Sequence, residues 1–463
     1  LKVLERGPGE TFYKKFPPVS FGGHMSQIDL KQRHPVYQVR FDLWRYYRDH
    51  YRGGPGFPAL GYLVRHQRES HQSYAARISR SVYVNYCAPI VGLYQAQLWR
   101  RSPVRRLPES LAGLAADVDR RGADIDLFMK RATTAAQIEG HVFILVDFPR
   151  PFQAASRLDE QARNLRPYLV LVRPSRVLDW SFEPIEAGGP SRLAYVVVEE
   201  RIEQPRPFGG RLTLTRYRLW RPDAWELWIE PEAKGPGQSP PVKIDEGRNP
   251  LGEVPLAPLY NLKLDDFVGE STLKDIAPLN NALYQKDSLL DEAEYWAGFP
   301  QLAIFSHDEI GELELSQSRA LQLAPGDRAE FLEHSGRAID SLRESRREIK
   351  RDIFRIALRQ SSEPAAGHQA ESAEKRRLDR AEFISSLQER AANFETAENQ
   401  VWRLLAKWLD LPDPGRIVEY NRSFDLEAIN TDLGRLLIEA GDKGYLEPEQ
   451  VRLELVRRGF WSE

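Results

Sequence analysis

An α+β fold is what this sequence predicts, and three observations carry the prediction. The hydrophobic period changes from three–four to two at about His141. Six alternating or apolar stretches then follow before residue 267, separated by turn residues. From residue 269 the helical period returns and persists to about residue 411, broken by one mixed insert and one loop of small residues.

The 463 residues suggest roughly three domains. A formal net charge of −2 advertises no general affinity for polyanions, so any nucleic-acid contact is expected to be local or weak. One cysteine, Cys87, permits no intrachain disulfide and points to a reducing compartment. It sits in the aromatic run Tyr83-Val84-Asn85-Tyr86, so a buried small hydrophobe is expected rather than a nucleophile. The longest apolar runs, such as 142–146, are too short to span a bilayer. Position 1 is Leu and the first Met is Met25, so residues 1–25 read as an extension or disordered leader.

Taken in order, residues 37–50 carry Tyr37, Phe41, Trp44 and Tyr47 at helical spacing, and the Gly-Pro cluster at 53–58 ends them. Residues 68–100 read as one long helix kinked at Pro89, or as a broken pair. Further helix is expected over 107–136. The strands are expected at 142–148, 168–173, 177–182, 193–202, 212–221 and 225–230. A turn at 221–224 separates the last two.

In the second half, Gly269-Glu270-Ser271-Thr272 is expected to open a helix running to about Gly298, with Pro278 either starting or kinking it. An insert at 299–335 follows, with seven acidic residues against two basic, a net of −5. The helix expected at 336–360 reverses this, with eight basic against four acidic residues. A loop of small residues occupies 361–370. A helix at 371–411 would be about 60 Å long, suited either to packing between subunits or to crossing one domain. Pro412 and Pro414 end it, and a strand at 416–420 and two short helices complete the chain.

Few motifs carry chemistry. No Gly-x4-Gly-Lys-Ser/Thr loop, zinc-ligand spacing or Gly-x-Ser-x-Gly elbow occurs. Asp287, Asp291 and Glu294 share one helix face, and with Asp265 and Asp266 they admit a metal-dependent nuclease or phosphotransferase. A solvated acidic stripe is the favoured reading, since metal ligands usually come from several elements. His307-Asp308-Glu309 reads as a loop. Arg343, Arg346, Arg347 and Lys350 fit either local pairing, such as Glu344 with Arg347, or docking of basic on acidic faces between subunits with some phosphate contact.

The order of these pieces resembles the portal proteins of tailed bacteriophages. Three stretches carry the resemblance: 74–103, similar to a siphophage-type helix pair; 255–299, a Pro, an aliphatic strand, Gly269-Glu270-Ser271 and a long helix; and the helix–loop–helix of 336–411. The resemblance implies an α+β wing at 26–268, stem helices at 269–298 and 336–360, and a small α/β clip at 299–335. It also implies a tunnel loop at 361–370, a long wing helix and strand at 371–424, and crown helices at 425–463. In that scheme Glu309, Glu312 and Glu314 bind partners at the clip. Ser361, Ser362, Glu363, Pro364, Ala365, Ala366, Gly367, His368 and Gln369 face DNA. Arg343, Arg346, Arg347, Lys350, Asp287, Asp291 and Glu294 lie between subunits or toward DNA. The implied assembly is a homo-oligomeric ring, usually of twelve subunits, at a capsid vertex of a phage or gene-transfer particle, put together in the bacterial cytoplasm. It would pass double-stranded DNA non-specifically and dock the terminase large subunit, a head–tail connector or adaptor, and capsid and scaffolding proteins. No catalytic residue, cofactor, metal or membrane is implied. Another connector ring of the virion is the second alternative.

Overall fold

The computed structural model describes residues 30–149, 165–185, 189–205, 209–231, 240–298, 301–305, 328–332, 337–358 and 373–424. The expected leader at 1–25, the loop residues 361–370, clip residues Glu309, Glu312 and Glu314, and the crown at 425–463 lie outside the described residues.

In chain order the described helices are α1 (Pro35–Gln38), α2 (Phe41–Arg52), α3 (His71–Arg80), α4 (Cys87–Leu98), α5 (Glu109–Ala112) and α6 (Ile125–Glu139). Then come α7 (Ile276–Ala297), α8 (Arg337–Ala357) and α9 (Ala373–Trp408). The strands are β1 (Val104–Arg105), β2 (His141–Asp147), β3 (Tyr168–Val172), β4 (Val177–Pro184), β5 (Ser191–Pro205), β6 (Arg211–Trp220) and β7 (Ala224–Ile229). They continue with β8 (Val242–Arg248), β9 (Leu256–Tyr260), β10 (Leu262–Asp265), β11 (Val268–Glu270), β12 (Gln301–Phe305), β13 (Arg328–Leu332) and β14 (Val418–Glu419). The chain is α+β, and every described strand pairing is antiparallel.

Strand β2 organises the layers. It is buried over its whole length, as its unbroken apolar run requires. Side chains alternate across a strand, so Val142, Ile144 and Val146 enter one core while Phe143 and Leu145 enter another. The first core lies between the three-stranded sheet β3-β2-β9 and helices α2, α4, α6, α7 and α9. The second lies between that sheet and the five-stranded sheet β4-β5-β6-β7-β8, where Val196, Val198, Trp220 and Trp225 meet Phe143 and Leu145. The far face of the five-stranded sheet packs Leu178, Val197, Tyr217 and Leu219 against Leu30.

Helix α9 has 36 residues and is about 54 Å long. Of its apolar stripe at helical spacing, Leu387, Ala391, Phe394, Val401 and Leu405 are buried and Ile384 and Trp408 half-buried, and Arg390, Glu398, Trp402, Leu404 and Ala406 are buried as well. Burial on this many sides makes the C-terminal part of α9 a core helix of its own chain. Strand β14 returns from it to pair with β1, Val104 opposite Glu419 and Arg105 opposite Val418. Beneath that pairing the fully buried Glu398 receives Arg105 at 2.5 Å and Tyr420 Oη at 2.7 Å.

Several expectations are corrected. Pro89 kinks nothing: it stands in the first turn of α4, where a missing N–H is harmless, and the 68–100 region is a broken pair with an extended link at 81–86. The helix expected over 107–136 is one turn, α5, and then α6. Gly269-Glu270-Ser271-Thr272 does not open a helix. Gly269 and Glu270 end β11, and α7 begins at Ile276 with Pro278 in its first turn. The strand at 416–420 shrinks to two residues, the aliphatic strand expected after Pro255 is β9, and β1, β8, β10 and β11 are additions to the expected set.

Candidate functional site

Helices α7 and α8 form an antiparallel pair, and β12 and β13 lie between them in sequence as a hairpin, Gln301 opposite Leu332 and Phe305 opposite Arg328. The helices pair because each has an apolar stripe facing the other. Leu279 and Leu283 come from α7, and Ile349, Ile353 and Ile356 from α8. Charged pairs flank the stripe. Arg346 Nε donates to Asp287 at 2.5 Å and Arg343 to Glu294 at 2.7 Å. The second of these is exposed and contributes little. The Asp287 side chain is 11% exposed, which makes the first a partly shielded contact.

The carboxylate stripe is thus divided between tasks. Asp287 and Glu294 bind arginines of their own chain. Asp291 lies between them, and burial, followed by the charges of Asp287 and Glu294, pushes its carboxyl above the usual range. Arg347 pairs with Glu344 at 3.2 Å, the local alternative weighed for it, and Lys350 sits over the Tyr86 ring at 5.7 Å. Asp265 and Asp266 lie at the tip of the β10–β11 hairpin, where Asp266 binds Lys263. Among the described residues no group of three or more His, Cys, Asp or Glu side chains could hold a metal ion. Nor is any helix there long and apolar enough to cross a membrane.

A second face of α7 carries polar residues four apart that the sequence reading missed. Asn280 Oδ1 accepts from Tyr83 Oη at 2.9 Å and Tyr86 N at 2.8 Å, and its Nδ2 donates to Val84 O at 2.9 Å. Tyr284 Oη meets Ser81 Oγ at 2.8 Å, and Ser288 Oγ accepts from Arg77 at 3.2 Å. Glu292 accepts from Arg80 at 2.5 Å. This ladder fastens 77–86 along α7, and its four-residue spacing was the available signal. Gln285 adds a clasp on 62–64. On α7 Leu289 remains 43% exposed, and Phe354 on α8 44%.

Cys87 is fully buried beside Asn280, and burial pushes its thiol up to about 12, so it is the inert hydrophobe expected. The junction between the sheet and α7 rests on His141. Tyr37 Oη gives its one proton to Phe267 O at 2.7 Å, so its 2.6 Å contact with His141 Nε2 requires the imidazole N–H there. Nδ1 then accepts from Gly269 N at 3.3 Å. Complete burial lowers the histidine to about 3 and keeps it neutral. Beside it Gly140 and Gly269 touch backbone to backbone, and a Cβ on either would run into the other's carbonyl.

Two cavities adjoin this frame. One of about 460 Å³ opens between the five-stranded sheet and α9, lined by Phe182, Leu193, Leu256, Tyr260 and Asn393. The other, about 330 Å³, lies where α7 begins and α8 ends, with Lys274, Asp275, Arg355 and Glu382 on its walls.

Against known proteins, the model of a family described as "Domain of unknown function (DUF4055)" matches residues 272–409. That span runs from the approach to α7 through the hairpin and α8 to the end of α9. No curated protein matches. Similar solved structures include "Neck of native GTA particle computed with C12 symmetry", at 12% identity over 80% of this chain and 89% of that one, TM-score 0.39. "Virion of native gene transfer agent (GTA) particle" is 14% identical with the same coverage and a TM-score of 0.38. "Neck of empty GTA particle computed with C6 symmetry" is also 14% identical with that coverage, TM-score 0.39. At such TM-scores these likenesses carry no argument about role or assembly.

Proposed function

We propose that the chain is a subunit of a portal-type ring, a channel for double-stranded DNA at a virion vertex. One observation carries the reading. Two antiparallel helices, α7 and α8, are joined through a hairpin, and a far longer helix, α9, then runs back through the core of the same chain. Such a pair presents a rigid rod whose outer surface is left to neighbours. The exposed Leu289 and Phe354 would lie between copies, where a closed ring buries them. The sequence resemblance of 74–103, 255–299 and 336–411 points the same way. On this reading terminase and a head–tail connector dock at the hairpin end, and twelve copies are the expected number.

The reading assigns the chain no catalysis. Negative-stain images and sedimentation of the purified full chain test it, with closed rings around a central opening expected. Monomer at every salt and protein concentration would overturn it. So would DNA or ATP turnover abolished by Asp287→Ala or Asp291→Ala.

A further inference from the structure

Five arginines gather around one short turn, far in sequence from the α7–α8 pair. Pro174–Arg176 forms a single 3-10 turn between β3 and β4. Arg33 donates to Ser175 O at 3.1 Å and Arg48 to Ser175 Oγ at 3.3 Å. Arg48 also lies 3.4 Å from Glu139, which is fully buried at the end of α6 and is bound by Arg173 as well. On the other side of the turn Arg176 binds Glu199 of β5, and Arg201 reaches the same carboxylate at 2.9 Å. Four guanidinium groups therefore share two carboxylates, and Arg33, bonded to a carbonyl oxygen, adds a fifth positive charge within the field of Glu199. Of the acidic groups beyond, Glu230 holds Lys31 at 2.5 Å, and Asp179 accepts from the neutral Tyr195 Oη at 2.8 Å and keeps its charge, which still leaves the arginines in excess.

This arrangement leaves positive charge uncompensated. Burial lowers the Arg33 and Arg176 guanidiniums, Glu199 opposes the effect, and neighbouring arginines add to it, Arg176 and Arg201 for Arg33, Arg201 and Arg48 for Arg176. Arginine nevertheless stays charged at neutral pH. Crowded like charges destabilise a fold unless an anion lies among them. The cluster is also reachable, since the side chains of Arg48, Arg176, Arg173 and Arg201 are 25%, 33%, 43% and 57% exposed. Each guanidinium carries five N–H donors in a planar fork, and the one or two acceptors named above leave donors over. Forked donors converging from several directions match the oxygens of a tetrahedral oxyanion better than they match one carboxylate.

We propose that Arg33, Arg48, Arg173, Arg176 and Arg201, set around Ser175, form a binding site for a phosphate group. Inorganic phosphate and the phosphodiesters of a polynucleotide share that chemistry. The site stands whether or not the chain forms a ring.

The test uses the full chain, and the double variant Arg176→Gln/Arg201→Gln, which leaves the arginines of the buried Glu139 untouched. Thermal unfolding is compared in sodium phosphate and in sodium chloride at equal ionic strength. Wild type is expected to melt higher in phosphate, by RT ln(1 + [L]/Kd) of added stability, and the double variant to lose that gain. If the double variant does not fold, Arg201→Gln alone, at the most exposed of the four, is expected to reduce the gain. A labelled DNA duplex distinguishes the sources. For a polynucleotide, affinity falls in the variant and the slope of log K against log salt drops by about one per arginine removed. For free phosphate, only the melting temperature responds. Equal melting in the two salts, or a phosphate gain that survives in the double variant, overturns the proposal.

Discussion

Asn280 shows how much one side chain holds in this molecule. It is 1% exposed and satisfies groups from three positions of the 83–86 link. Replacing it with Ala leaves those groups without partners in the interior. A loss of about 2–4 kcal/mol is expected in urea denaturation, more than a surface asparagine would show. His141 makes a pH-dependent contribution. Above pH 6.5 it is neutral folded and unfolded. Below that the unfolded chain takes up a proton that the folded chain refuses, so stability should fall by about 1.4 kcal/mol per pH unit until about pH 3. His141→Gln should remove one proton's worth of that slope. Parallel stability curves for the two proteins between pH 6.5 and 4 would show that His141 is not buried neutral. Gly269 tolerates no side chain because Gly140 lies against it. The glycine was visible in the sequence, but it was read as a helix opener because its backbone neighbour lies 129 positions away.

At the scale of elements, the six strands expected between 142 and 230 agree with the observed β2 to β7 to within a few residues at their ends, whereas the helices expected over 68–100 and 107–136 are each divided. Short apolar runs made β2 and β3 legible, and alternating or aromatic runs between turn residues made β4 to β7 so. Strand β8 was missed because its polar, exposed sequence carries no apolar alternation, and β10 and β11 because they are short. The α7–α8 pair invites a charge-swap test. Arg346→Asp places two acids together beside Asp291 and should destabilise by about 1–3 kcal/mol, whereas Arg346→Asp combined with Asp287→Arg should recover part of the loss. No recovery in the double variant would mean that the pair does not couple the helices in solution.

For the whole molecule, the return of the chain after α9 is decisive. Arg105 stands in β1, among the N-terminal helices, and Glu398 nearly three hundred positions later, yet they meet in the interior with Asp126 and Tyr420 around them. Glu398 lifts the Arg105 guanidinium above its ordinary range against the cost of burial. Glu398→Gln removes the charge facing a shielded arginine and should cost about 3–5 kcal/mol. It should also expose the β1–β14 pairing to faster amide exchange. Unchanged protection at 104–105 and 418–419 would show that the strands pair without the buried charges. The same geometry answers the question about the long helix, because its C-terminal part is enclosed by its own chain.

What the sequence determined by itself was periodicity. It separated strands from helices, placed an acidic insert between two helices and ahead of a basic one, and marked Cys87 as an interior residue, because these depend on neighbours within a turn or two. The tertiary structure alone decided which distant groups meet: Asn280 with the 83–86 link, Glu398 with Arg105, Gly140 with Gly269, and five arginines around Ser175. Such contacts depend on where whole layers stack, and a local pattern of side chains holds no record of the partner that will face it. The arginines illustrate the limit best. Along the chain they are scattered between positions 33 and 201 and look like ordinary surface charge, and only the fold gathers them at one turn.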